Sequence, residues 1–441
     1  MAEQLLGRIP IMTRSEEFQR SIRNLQLQPL ITPDDVRKFR VVYGEELLPE
    51  LEQAIEDCTE HNNQFFFAGH RGCGKSTLLA EFGRQIEDRF FTVFFSISDL
   101  IELPAINHVQ ILFTMAVQLM AKAEEKQIKI PQDKKQAIFD WFKKRTRTET
   151  EEFSAELEAG FDFFSLIKGK IKTDAGVRDE IQTDFQRNPK ELLDNINLIA
   201  REIQLACGNS IQDIVVIIDD IDKLTLAQAE EIFRQNLKLL LLPQFTVIFT
   251  IPIATLRDGV LKKYIEDETG NSIFVMPVLK PHAKGDRTKI LENTQHLLLA
   301  VLDRRVPAHL FAAGIAEQII AQSGGVLREL IRIAHECCRL ARVEILQRQR
   351  RQESVEDLYL DGRILDKALE NLRNSMAITL SKDDREILQL TYANHQPDDP
   401  KDQAFLDLLH NITAIEYRNG ESWYDVHPLV VEQLRREGLL L

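Results

Sequence analysis

Apolar residues along this chain fall into two alternating kinds of run. Short unbroken ones, Phe65-Phe-Phe-Ala68, Phe91-Thr-Val-Phe-Phe-Ser-Ile97 and Ile214-Val-Val-Ile-Ile218, read as strands buried on both faces. Phe245 to Ile251 and Ser272 to Met276 supply two more. Between them the apolar positions recur at helical spacing: Leu47, Leu48, Leu51, Ala54 and Ile55, then from about Lys75 to Asp88, His108 to Glu125 and Pro189 to Ala206. Strands alternating with helices predict an α/β domain with a mostly parallel sheet. Residues 130–185 interrupt that rhythm. They carry a basic run (Lys143, Lys144, Arg145, Arg147), an acidic run (Glu149, Glu151, Glu152, Glu156, Glu158) and a partial apolar–polar alternation from Phe161 to Lys172. This stretch is expected to be an insertion between core strands, helical with a hairpin.

Beyond Pro277 and Pro281 the pattern changes, and residues 285–372 hold helical periodicity alone. From 376 onward a third kind of unit is predicted. A helix starts near Ser381, where Ser-Lys-Asp-Asp-Arg-Glu offers an N-cap and early acids. A break at Pro397–Pro400 precedes a helix from Asp402 to His410. Thr413-Ala-Ile-Glu-Tyr and Ser422-Trp-Tyr-Asp-Val then flank Asn419-Gly420, a strong hairpin signal. Helices followed by such a hairpin suggest a winged helix-turn-helix. The expected organisation is an N-terminal segment (1–44), an α/β core (45–280), a helical unit (281–375) and a winged-helix-like unit (376–441).

Composition narrows the function. With 55 basic and 69 acidic side chains the formal charge is −14, which excludes a general polyanion binder while leaving a local basic face open. The five cysteines are scattered without a CxxC pair, so neither a disulfide framework nor a zinc site is expected. No apolar run reaches the roughly 18 residues of a membrane helix, and no signal peptide is visible; a cytoplasmic protein is expected.

The sharpest local signal is Gly69-His70-Arg71-Gly72-Cys73-Gly74-Lys75-Ser76, running on to Thr77 between a predicted buried strand and a helix. It matches the G-x-x-x-x-G-K-[ST] phosphate cradle. Glycines let the backbone wrap closely around a β-phosphate, its N–H groups converging with the following helix N-terminus. Lys75 would reach the β- and γ-phosphates, and Ser76 would ligate Mg²⁺. His70, Arg71 and Cys73 are counted with the cradle as nucleotide-binding positions; the side chains of His70 and Arg71 could touch the phosphates or a neighbouring chain but are expected to be solvated, and Cys73, whose thiol could serve a redox role, is expected to be an incidental small residue. ATP with Mg²⁺ is therefore the expected cofactor pair.

The strand Ile214–Ile218 ends in Asp219-Asp220-Ile-Asp222. In such enzymes a first carboxylate holds the metal through water and a second orients the attacking water. Asp219 is assigned to the metal and Asp220 to the water, with Asp222 expected at the solvated surface. Thr250, ending the next strand, is a candidate for the γ-phosphate or the water, or simply a hydroxyl capping a strand end.

Together these features resemble the additional-strand P-loop ATPases. More narrowly, they resemble the join between AAA+ initiator ATPases of the origin-recognition type and STAND signalling ATPases. Val215-Val-Ile-Ile-Asp-Asp-Ile-Asp-Lys-Leu resembles the initiator strand-end motif, and Ser323-Gly-Gly-Val-Leu-Arg328-Glu-Leu the lid motif whose arginine senses the γ-phosphate. The resemblance implies an AAA+-like core, a helical lid and a winged-helix domain, with Arg328 as sensor and assembly into an oligomer or with a protein partner. Asp220 stands where AAA+ proteins carry a glutamate, which favours a slow switch. Arg257 is a weak candidate for an arginine finger.

Arg328, Arg332, His335, Arg339 and Arg342 share one helix face. Glu329, Glu336 and Glu344 make a solvated, balanced face the better reading for all but Arg328. Residues 376–441 carry six basic against twelve acidic side chains, which disfavours DNA reading despite Arg418 at the wing tip. The expected function is an ATP-controlled switch in regulation or defence. The alternatives are a DNA-binding initiator or transposition-type ATPase and a nucleotide-binding scaffold that does not hydrolyse.

Overall fold

The computed structural model describes residues 13–58, 63–146, 163–270, 272–376 and 380–440. It divides into two compact units. One comprises 44–71 and 75–276; the other gathers residues up to 43, 72–74 and 277 onward.

The first unit is built on five parallel strands: β1 (Gln64–Gly69), β2 (Phe91–Ser96), β3 (Ile214–Asp219), β4 (Thr246–Pro252) and β5 (Ile273–Met276). Their order is β2-β3-β4-β1-β5, so β4 lies between the strand that enters the glycine loop and the strand that ends in Asp219. That interposed strand is what the additional-strand resemblance implied. Every residue of β1, β3 and β4 is buried, as continuous apolar runs covered on both faces require. Phe66 stacks on Phe249 at 5.6 Å between ring centroids and meets Phe233 edge-on at 5.7 Å, locking β1 to β4.

The insertion is helical, with Gln132–Thr146, Phe163–Thr173 and Ala175–Arg187, and no hairpin occurs among its described residues. The expected alternation fails for a specific reason. The buried positions are Phe163, Phe164, Ile167 and Ile171, a helical stripe rather than a two-residue period. Phe113, on the helix His108–Glu125, meets Phe142 at 5.6 Å and Phe185 at 6.1 Å, so the insertion extends the aromatic core. Arg147 and the acidic run lie outside the described residues.

Among its described residues the second unit is helical apart from one hairpin. The helix Arg14–Asn24, opened by a Thr13–Glu16 capping box, buries Phe18 in a core shared with Leu330, Ile333 and Cys337 of the long helix Leu327–Arg350. Its last part follows the sequence pattern closely: helices Lys382–Asn394 and Gln403–His410, then β6 (Ala414–Asn419) and β7 (Glu421–Val426) paired antiparallel about Gly420, then the helix Pro428–Arg436. Tyr417 and Trp423 sit in register and pack at 4.6 Å, and the Tyr417 hydroxyl donates to the Gly324 carbonyl at 2.7 Å. Among the described residues no helix is long and apolar enough to cross a membrane.

Candidate functional site

The glycine loop leaves β1 and enters the helix Lys75–Gln85. Gly72 and Gly74 adopt φ of +78° and +105°, the left-handed region that a side chain disfavours. A β-carbon at Gly72 would fall 2.4 Å from the Arg328 Cβ, and the Arg328 N–H donates to the Gly72 carbonyl at 3.1 Å. Both residues belong to the helical unit.

Lys75 is buried, at 4% exposure. Its Nζ donates to the carbonyls of Gly69 and His70, each at 2.9 Å, and pairs with Asp222 Oδ2 at 2.7 Å. Two expectations are corrected here. Asp222 is not at the solvated surface: the 3₁₀ turn Ile221–Lys223 folds it back under the loop, and it is 5% exposed. His70 is buried as well, at 2%. Arg71 is partly exposed, and its guanidinium donates to the Lys223 carbonyl at 2.7 Å, tying the loop to the turn after β3. Cys73 is buried.

Asp219, Asp220 and Asp222 bring carboxylate oxygens within 4.8 Å of one another, all three buried. Each is handled differently. Burial, then the charges of Asp222 and Asp220, push the Asp219 carboxyl up to about 7, against hydrogen bonds from the Ser76 hydroxyl and the Asp220 N–H. One Asp219 oxygen, Oδ1, is buried with no hydrogen-bond partner. Burial would also raise Asp220. Hydrogen bonds from Lys223, Ser96 and Ser98 outweigh it and hold that carboxyl below the usual range. The serine hydroxyls reach Asp220 Oδ2 at 2.6 and 2.5 Å, and Lys223 Nζ reaches Oδ1 at 2.6 Å. The Asp220 backbone is left-handed, φ +71°, a conformation aspartate tolerates better than most residues.

Thr250 completes the frame. It is fully buried, its hydroxyl donating to the Ile218 carbonyl at 3.3 Å and accepting from the Ile221 N–H at 3.1 Å. Its hydroxyl thus braces the strand end. On the long helix Arg332 and Arg339 pair with Glu329 and Glu336, the balanced face expected. Arg257 closes the short turn Ile253–Leu256.

Sequence reasoning missed Asp222, Lys223, Ser96 and Ser98. The serines had a signal: in a parallel sheet β2 ends level with β3, and the register places Ser96 beside Asp219. Asp222 had one too, since a carboxylate three residues beyond a strand end returns to it through a 3₁₀ turn.

The donor set fits a hard divalent cation. Ser76 and Asp219 offer oxygen ligands, and the orphaned Oδ1 is a buried acceptor in want of a positive partner. The left-handed glycines and the helix N-terminus at Lys75 fit a polyphosphate.

The profile of the KAP family P-loop domain matches residues 48–272. No curated protein matches the chain. Among solved structures, a Walker-type ATPase of Pyrococcus abyssi is similar with a TM-score of 0.47 and 14% identity, over 93% of this chain and 99% of that one. Cdc6p of Pyrobaculum aerophilum is similar with a TM-score of 0.39 and 13% identity, over 93% and 98%.

Proposed function

The chain belongs to the KAP family of P-loop NTPases, and from that premise we propose that it is a slow magnesium-dependent ATPase working as a nucleotide-controlled switch. The observation that carries this reading is the convergence of Lys75, Ser76 and the orphaned Asp219 Oδ1 where β1 and β3 end.

Bound magnesium would neutralise charge on the β- and γ-phosphates, held by Ser76 directly and by Asp219 directly or through water. Lys75 exchanges its pairing with Asp222 for the phosphates, so Asp222 acts as a stand-in anion that keeps the lysine placed. Asp220 orients the attacking water. A carboxylate already hydrogen-bonded by Ser96, Ser98 and Lys223 is a weak base, which is the physical basis for slow turnover. Thr250 positions Asp220 by holding the turn that follows β3.

Arg328 reports the γ-phosphate to the helical lid, and the lid moves the C-terminal winged-helix unit. The acidic character of that unit favours a protein partner or a second copy of the chain over DNA. Single-turnover phosphate release tests the chemistry. The wild type should release phosphate slowly and only with magnesium, and Asp220→Asn should retain nucleotide while losing release. Equal release by wild type and Asp220→Asn would overturn the assignment.

A further inference from the structure

The long helix Leu327–Arg350 carries Arg328 in its first turn, yet its own sequence does little to fix where it begins. Its N-cap is Val326, which makes no side-chain capping bond. The start is set by the preceding turn, Ser323-Gly324-Gly325. Both glycines are left-handed, with φ of +59° and +77°. The Ser323 hydroxyl accepts from the Gly325 N–H at 3.1 Å, and the Val326 N–H donates to the Ser323 carbonyl at 3.1 Å.

That turn is gripped from two sides. A β-carbon at Gly325 would fall 1.7 Å from the Leu279 carbonyl oxygen. One at Gly324 would fall 2.8 Å from Ile415 Cδ1 on β6 and 3.1 Å from Pro428 Cδ, at the head of the helix Pro428–Arg436. Tyr417, 93 residues further along the chain, adds the polar contact already described, its hydroxyl donating to the Gly324 carbonyl at 2.7 Å. Its ring is 2% exposed and packed on Trp423, so the hydroxyl has little freedom to point elsewhere. Burial also pushes the phenol well above its ordinary range, which keeps it a donor at any pH near neutrality.

The helix start then meets the glycine loop. The Arg328 N–H donates to the Gly72 carbonyl, and the space between Gly72 and the Arg328 Cβ admits no further carbon. Tyr417, Gly324, Arg328 and Gly72 thus form one connected series within a single compact unit. The bland explanation is that a buried tyrosine hydroxyl simply takes the nearest acceptor. It accounts for the hydrogen bond. It does not account for a hairpin that approaches the turn so closely that any side chain at Gly324 is excluded.

We infer that Tyr417 is a positioning residue for Arg328: its hydroxyl, aided by Ile415 and Pro428, holds the Gly324-Gly325 turn so that the helix start meets the glycine loop in one register. The inference rests on the reading of Arg328 as the γ-phosphate sensor and adds how that sensor is regulated. Displacing the hairpin from Gly324 disables sensing and leaves the rest of the nucleotide site intact.

ATP and ADP affinities of the full chain, measured calorimetrically with magnesium, test this, because a γ-phosphate sensor acts on ATP alone. Arg328→Ala defines the full loss of ATP-over-ADP preference. Tyr417→Phe keeps the ring and removes the donor. It should lower the preference by about 5- to 10-fold with ADP affinity unchanged, and should lower it no further when added to Arg328→Ala. Gly324→Ala, which forces the hairpin off the turn, should lower the preference by a second route. Val430→Ala, a buried change in the helix Pro428–Arg436, controls for stability alone. It should lower the melting temperature at least as much as Tyr417→Phe and leave the preference unchanged. If Arg328→Ala leaves the preference intact, the sensor reading fails and the inference falls with it. If Arg328→Ala abolishes the preference while Tyr417→Phe changes only the melting temperature, or if the two losses add in the double variant, the inference alone is overturned.

Discussion

Two regions of this molecule crowd like charges together, and they resolve the crowding in opposite ways. At the end of β3, three buried carboxylates lie within 4.8 Å, yet most of the compensation is built in. Lys75 answers Asp222, Lys223 answers Asp220, and two serines share the rest. Only Asp219 Oδ1 is left over. In the helical unit, the adjacent Arg304 and Arg305 crowd together, and the buried Arg305 meets carbonyls and a ring instead of a carboxylate. The comparison teaches that a charge cluster is informative through its residual. A buried carboxylate oxygen with no partner points to one small cation, whereas a buried guanidinium already met by carbonyls and a ring is compensated from within the fold.

The largest effect should come from breaking the internal compensation. Lys75→Ala leaves Asp222 buried without its partner and should cost about 3–5 kcal/mol in denaturant unfolding. Lys75→Ala/Asp222→Asn should recover most of that loss while leaving nucleotide binding abolished. A neutral Lys75→Ala would break the comparison at its acidic side.

His427 sharpens it with a third solution, a buried titratable group kept neutral. It is fully buried, and burial, then the Arg332 charge, lower it to about 3 from an ordinary 6.5. The unfolded chain therefore binds the extra proton first. Stability is complete above about pH 6.5 and falls as pH drops below it, by about 1.4 kcal/mol per unit from this group. Urea unfolding between pH 6.5 and 5 should show a steep slope in the wild type and a flatter one in His427→Gln.

Thr250→Val removes the acceptor of the Ile221 N–H and should cost about 1–3 kcal/mol, with slower phosphate release because the Asp220 turn loosens. Asp219→Asn should change stability least without ligand, within about 1 kcal/mol, since burial already favours the protonated form. Its effect should appear with ligand, as loss of the magnesium-dependent rise in melting temperature.

The parts legible in the sequence are those governed by local periodicity and backbone demand. The unbroken runs of β1 and β3, the glycine loop and the Asn419-Gly420 turn each fix their own geometry within a few residues. The alternation expected of the insertion fails because an apolar pair followed by steps of three and four mimics alternation over a short window, and only packing against Phe139 and Phe142 separates the two. The pairing of Lys75 with Asp222 and the grip of Ser96 and Ser98 on Asp220 depend on which strands become neighbours. So does the seating of Arg305 against Phe39. Such sites arise from contacts between distant segments, which periodicity does not encode.

Calorimetric titration of ATP into the purified chain, with and without magnesium, tests the central claim most directly. Saturable binding that strengthens with magnesium in the wild type, and loses that strengthening in Asp219→Asn, is the result this account predicts. ATP binding that is absent, or identical with and without the metal, would contradict it.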